Sequence, residues 1–213
     1  MQIFDTLLSR YGPRHWWPGE TPFEVCVGAI LTQNTNWGNV EKAINNLKQA
    51  DLLSITGIAL LADVELAALI RPAGYFNIKA ARLKEFVGFL QQEHQGSLDR
   101  LFSKPWQQTR QELLAVKGIG PETADAMLLY AGDKPSFVVD TYTRRIFGRL
   151  GLVATDIGYD ELRNHFMGQL TSDIRLFNEY HALIVELGKS VCRPAPRCNV
   201  CCLAGYCPES SRH

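Results

Sequence analysis

Apolar residues recur at helical spacing along nearly the whole chain, and that periodicity leaves little room for a sheet. Val40, Ala43, Ile44 and Leu47 fall at i, i+3, i+4 and i+7, and Leu176, Tyr180, Leu183 and Leu187 form a second stripe. Strand-like alternation is scarce. Helix boundaries are marked in the same residues: Thr21-Pro22-Phe23-Glu24 offers a capping hydroxyl, a proline at the first helical position and a carboxylate three residues after the cap. Pro72 and Gly74 end the helix before them, Asn77 is placed to cap the next, and Pro105 precedes a further helix near Thr109. These marks predict an all-α fold of about nine or ten helices. A chain of 213 residues with 46% hydrophobic content can fill one large domain or two lobes, and Gly132-Asp133-Lys134-Pro135 is the expected crossing between two lobes.

The N-terminus lacks the basic start, long apolar stretch and small-residue cleavage site of an export signal, and no later segment is apolar enough to span a bilayer. A soluble cytoplasmic protein is expected. Lys plus Arg and Asp plus Glu both number 22, so the whole-molecule field gives no help in attracting a polyanion, and any hold on phosphate has to be local. In a reducing compartment the six cysteines are not expected to form disulfides; the C-terminal group points to a metal site, and Cys26, on an apolar helix, to the core.

One segment can hold phosphate without net charge. Leu113 to Ala124 reads as helix, tight glycine turn, then a helix opened by Pro121. Gly118 and Gly120 permit positive φ and close backbone approach, and the new helix start presents N–H groups to an anion. An ordinary helix–helix turn has the same look. What distinguishes this one is Asp140, eighteen residues after Glu122, at the end of the short apolar run Phe137-Val138-Val139 and opening another helix.

In these features the chain resembles the helix-hairpin-helix DNA glycosylases, specifically the endonuclease III branch, with its Leu-x-x-Gly-hydrophobic-Gly hairpin followed by a Val-Asp-Thr segment. The similarity runs from about Pro22 through the terminal cysteines. It implies a two-lobed all-α fold: a helical barrel over 21–134 carrying the hairpin, a second lobe made of 1–20 and 135–213, and a DNA cleft between them. Leu31-Thr32-Gln33-Asn34-Thr35 is similar to the family's early loop, whose glutamine fills the gap left by an extruded base; a helix-end cap is the plainer use of Gln33. Gly118, Gly120 and Thr123 are carried over as DNA contacts. Lys79, in a stretch similar to the family's Gly-hydrophobic-x-x-Lys-Ala helix start, is expected to be a solvated lysine.

Loss of a base leaves cationic, oxocarbenium-like character on the sugar, which a fixed carboxylate stabilises while orienting water. Asp140 suits that role, and it can equally be a plain N-cap. Where bifunctional members of the branch have the lysine that forms a Schiff base, this chain has Glu122. A carboxylate cannot form that adduct. The expectation is a monofunctional glycosylase in base excision repair that leaves an abasic site, with Glu122 as a second acid or a helix-start residue.

Trp16-Trp17-Pro18 and Trp37 resemble the residues lining the base pocket of endonuclease III-like 3-methyladenine glycosylases, which hold an extruded base between aromatic faces. Core anchoring is the other use of such rings. An alkylated purine is cationic, attracted by π faces and already a good leaving group. Those glycosylases have a pocket lysine on the late helix where this chain has Leu183, which leaves removal of uracil, mismatched thymine or hypoxanthine open.

Cys192, Cys198, Cys201 and Cys207 give the pattern C-x5-C-x2-C-x5-C, four soft thiolates suited to one tetrahedral or cubane centre. The family resemblance implies a [4Fe-4S] cluster, although the first gap here is one residue shorter; a structural zinc is the rival, and Cys202 competes with Cys201 as ligand. No histidine is assigned to a site. A monomer acting on damaged double-stranded DNA is expected, with a bifunctional glycosylase/lyase or a non-catalytic DNA-binding module as alternatives.

Overall fold

The computed structural model of the chain describes residues 1–16 and 19–212, Arg212 through its backbone alone. Among the described residues the regular structure is helical: α1 Gln2–Tyr11, α2 Pro22–Leu31, α3 Trp37–Gln49, α4 Ile55–Leu60, α5 Asp63–Leu69, α6 Phe76–His94, α7 Leu98–Phe102, α8 Trp106–Ala115, α9 Pro121–Tyr130, α10 Thr141–Arg149, α11 Tyr159–Gln169 and α12 Ile174–Ser190. The helices outnumber those expected from periodicity because α4, α5 and α7 are too short to show a full apolar stripe. None of the described helices is long and apolar enough to cross a membrane.

The chain divides into two compact units, one of residues 17–134 and one of 1–16 with 135–213. In the first, α2 is buried on nearly all sides and packs against α3, α6 and α9. Its start follows the sequence marks: Thr21 accepts from the Glu24 N–H at 3.1 Å, with Pro22 at the first helical position. Glu24 does not close a capping box. Its carboxylate is buried and pairs with Lys48 on α3 at 2.9 Å. The stripe Val40, Ala43, Ile44 and Leu47 is the buried face of α3, as the spacing predicts.

Two expectations about α6 are corrected. The N-cap is Tyr75 rather than Asn77. Gly74 at φ 70° and Tyr75 in the left-handed region at φ 46° turn the chain into the helix early, leaving the Tyr75 ring 65% exposed. Lys79 is not a solvated lysine: it is 1% exposed. Its Nζ donates to the Leu31 carbonyl at 2.9 Å and the Ala73 carbonyl at 2.7 Å, the ends of α2 and of the 3-10 turn Arg71–Ala73. One ammonium thus satisfies two helix termini that would otherwise be buried without donors.

The second unit is built on aromatic packing. Phe137 stacks on Phe166 at 4.3 Å between ring centres and meets Phe177 edge-on at 5.4 Å; Phe147 and Phe4 join through Phe166 and Tyr180. α10 and α12 lie close together because Gly188 has no side chain where the Tyr142 ring sits. Asp140, Tyr180 and His181 owe their placement to this pair of helices.

Replacing Lys79 by Met should lower stability by about 2–4 kcal/mol, since two buried carbonyls lose their donor while volume is kept. The urea midpoint measures it, and a loss below about 0.5 kcal/mol would mean the carbonyls find other partners.

Candidate active site and cysteine cavity

In the unit of residues 17–134, α8 ends at Ala115 and α9 begins at Pro121, with Ile119 buried as the anchor of the turn between them. Gly118 takes φ +91°, a value that side chains resist, and a Cβ there would strike the stem of Arg82. Gly120 is different. Its φ is −91° and a Cβ would meet nothing within 4 Å, so no contact among the described residues demands a glycine. It is the N-cap of α9 and supplies no side-chain cap, leaving the opening of the helix presented by backbone.

Gln33, in the loop after α2, is drawn onto this turn. Its Nε2 donates to the Gly118 carbonyl at 3.2 Å and to Thr123 Oγ1 at 2.9 Å, while Arg82 donates to its Oε1. Thr123 is buried, and its hydroxyl serves this network. Any insertion of Gln33 into DNA has to break these bonds. Glu122 is exposed in the first turn of α9, close in the chain to the exposed Lys117 and Gly120. Trp37 opens α3 and lays its ring over Gly28, where a Cβ would come within 3.3 Å; the ring is partly buried against the core.

In the other unit, Asp140 is the N-cap of α10 and its carboxylate is divided between two tasks. Oδ1 accepts from the Thr143 N–H at 2.7 Å and the Thr143 hydroxyl at 2.9 Å. Oδ2 faces Nε2 of His181 at 3.6 Å, with the Asp140 side chain 12% exposed. Burial pushes the Asp140 carboxyl up, but His181 and the Thr143 donors outweigh it and hold the group below the usual carboxylate range. The group is therefore an anion at neutral pH. His181 in turn stacks on Trp16, ring centres 5.5 Å apart and planes 28° apart. Trp17 and Pro18 lie outside the described residues.

His181 is the residue that sequence reading passed over. It sits beside Tyr180 on an otherwise apolar stretch of α12, and nothing in the linear spacing connects it to Asp140, forty-one residues earlier in the chain.

Beyond α12 the chain coils through short 3-10 turns. Cys192, Cys198, Cys201 and Cys207 together line one small cavity of about 20 Å³. Cys202 is absent from that lining and instead faces the surface beside Arg10 on α1. Arg149, at the end of α10, donates to Cys192 Sγ at 3.3 Å and to the carbonyls of Arg193 and Pro194 at 2.7 and 2.9 Å; Arg145 holds the Cys192 carbonyl at 2.8 Å. Four soft donors line one cavity, with Arg145 and Arg149 tying the Cys192 end of the segment to α10, and such a donor set suits a metal centre. Among the described residues no group of three such side chains is closed on a metal position.

Comparison with known proteins agrees with these features. The family model described as HhH-GPD superfamily base excision DNA repair protein matches residues 27–171. A candidate DNA repair glycosylase of Methanocaldococcus jannaschii is 48% identical over 97% of this chain and 94% of its own length. The endonuclease III of Thermotoga maritima is 30% identical over 87% of this chain and 82% of its own. Among solved structures, the H. pylori 3-methyladenine DNA glycosylase bound to 1,N6-ethenoadenine superposes with a TM-score of 0.75 at 33% identity, covering 88% of this chain and 96% of that one. An endonuclease III–DNA covalent intermediate shares the fold with a TM-score of 0.86 at 23% identity, over 99% and 96%. The hairpin, the capping aspartate and the helical architecture are thus those of a member of the HhH-GPD superfamily of base excision DNA repair proteins, to which this chain belongs.

Proposed function

We propose that the protein is a monofunctional DNA glycosylase that hydrolyses the N-glycosidic bond of an alkylated purine in double-stranded DNA. The observation that carries this reading is Asp140: a carboxylate fixed by a helix cap, held ionised, with one oxygen left over from the cap. As the bond between base nitrogen and anomeric carbon breaks, the electron pair leaves with the base and positive charge grows on the sugar. A preorganised carboxylate is worth most against such charge in a partly dry site. Water then bonds to the anomeric carbon, and its proton passes through Asp140 to solvent.

The other parts have matching uses. The backbone at Gly118 and Gly120, opening α9, holds a phosphate, with Gln33 and Thr123 bracing the turn from behind. The family resemblance assigns Trp16, Trp17, Pro18 and Trp37 to the capture of the base, the tryptophans supplying aromatic faces. The choice of an alkylated purine is supported by those rings and by the likeness to a 3-methyladenine glycosylase bound to a modified adenine. Glu122 stands where a lyase would place its amine, so water is the nucleophile. Cys192, Cys198, Cys201 and Cys207 would hold a [4Fe-4S] cluster, whose contribution is to cross-link a segment poor in apolar residues. A monomer suffices for this chemistry.

Release of free base from methylated, deaminated and oxidised duplexes tests the reading. Methylated duplex should lose its base, Asp140→Asn should slow release by about a hundredfold or more, and borohydride should trap no protein–DNA adduct. Release of nothing from any duplex, with binding intact, would make the protein a binding module; a trapped adduct would make it a lyase.

Gly120→Ala should fold with unchanged stability, because its Cβ has room, yet bind undamaged duplex more weakly. Gly118→Ala should instead lose about 1–3 kcal/mol through its positive φ and its collision with Arg82. Equal DNA binding by Gly120→Ala and wild type would remove the phosphate from this turn.

Protein purified without oxygen should contain about four iron atoms per chain. Cys198→Ser should lose iron and solubility, whereas Cys202→Ser should keep the iron, since that thiol does not line the cavity. Zinc in place of iron would overturn the assignment.

A further inference from the structure

Thr143 consumes Oδ1 of Asp140 with two hydrogen bonds, so the orientation and charge of the group that reacts are decided at Oδ2. Facing that oxygen is the His181 imidazole at 3.6 Å, itself 5% exposed. A contact of that length is electrostatic and closes to a hydrogen bond with a shift of a few tenths of an ångström. The imidazole has little freedom to turn away. One face is covered by the Trp16 ring, and its backbone belongs to the buried middle of α12.

The segment that brings Trp16 there is itself clamped to α12. Glu179 accepts from the backbone N–H groups of Arg14 and His15, the latter at φ 47°, and the Arg14 guanidinium pairs with Glu186 at 3.0 Å. Adjacent N–H groups converging on one carboxylate form a small anion nest. Glu179 and Glu186 thus hold the aromatic wall in place, and His181 lies between that wall and the carboxylate.

We propose that His181 is a positioning residue for base excision: it fixes Oδ2 of Asp140 and couples the Trp16 wall of the base pocket to the carboxylate. The proposal rests on Asp140 acting in the reaction as described above. Four other charged groups on the packed elements face other partners. Arg145 on α10 is turned to the carbonyls of Cys192 and Gly188, Glu179 and Glu186 of α12 hold the N-terminal segment, and Asp5 of α1 faces Tyr180. The sign of the pH effect follows. With His181 present, Asp140 stays ionised below the usual carboxylate range; without it, burial prevails and the carboxyl takes up its proton at higher pH. The acid limb of the excision rate therefore moves upward in pH when the imidazole N–H is removed.

His181→Phe keeps a ring against Trp16 while removing that N–H, and His181→Gln restores a donor without the ring. Two readouts are measured on the full-length protein: the carboxyl carbon shift of Asp140 against pH in isotope-labelled protein, and single-turnover base release from duplex DNA treated with a methylating agent. For His181→Phe the Asp140 midpoint should rise by about one pH unit or more. The acid limb of base release should move up by about the same amount, while DNA affinity stays within about twofold. His181→Gln should recover part of both. An unmoved midpoint and acid limb in His181→Phe, with or without loss of stability, would leave His181 a packing residue and overturn the proposal. Should Asp140→Asn still release base at the wild-type rate, it is the role of Asp140 that fails, and the carboxyl titration still reports whether the two side chains interact.

Discussion

The first turn of α10 needs an acceptor for its leading N–H groups, and Asp140 provides it with one oxygen. Much of the unit built from residues 1–16 and 135–213 is arranged around that cap. Thr143 returns the bond from its hydroxyl, so the carboxylate cannot rotate without undoing the helix start. α12 lies close enough, across Tyr142 and Gly188, to bring His181 to the remaining oxygen. A side chain that begins a helix is as well fixed as the helix itself. For a catalytic group this is a route to preorganisation that adds no strain.

The unit of residues 17–134 meets the same need at the other ends of its helices. α2 is buried on nearly every side, so the carbonyls where it stops have no access to water. Lys79 answers them from α6, and at the hairpin turn Gln33 answers the Gly118 carbonyl. Burial, with the charge of Arg82 adding to it, holds the Lys79 amine below its usual range. Lys79 and Gln33 are polar residues placed where the backbone runs out of partners.

How much of this was legible in the sequence depended on the range of the interaction. Thr21 and Pro22, the α3 stripe, Pro121 opening α9 and Asp140 opening α10 were readable because each signal lies within a few residues of its effect. The set of four cysteines was readable for the same reason, and the cavity separates Cys201 from Cys202, which spacing could not. Asn77 misled because a left-handed Tyr75 starts the helix two residues sooner. Lys79 misled because a lysine near a helix start looks solvated until Leu31 and Ala73, distant and near in the chain, are both folded against it. His181 carried no signal, since its meaning lies in Asp140 and Trp16, neither of which is its neighbour in sequence.

The stem of Arg82 occupies the space that a side chain at Gly118 would take, and its guanidinium bonds Gln33 under the turn. This places a cation behind a surface otherwise made of amides, in a chain whose charges sum to zero. An anion held there would be met by dipoles that bring no counter-ions of their own and by the half-buried Arg82 behind the turn, with Lys117 exposed at its start. The ionic-strength dependence of such binding follows the number of cations engaged and not the number of hydrogen bonds. The phosphate proposed for this turn would thus engage few cations, and the grip on a duplex through it would depend only weakly on salt.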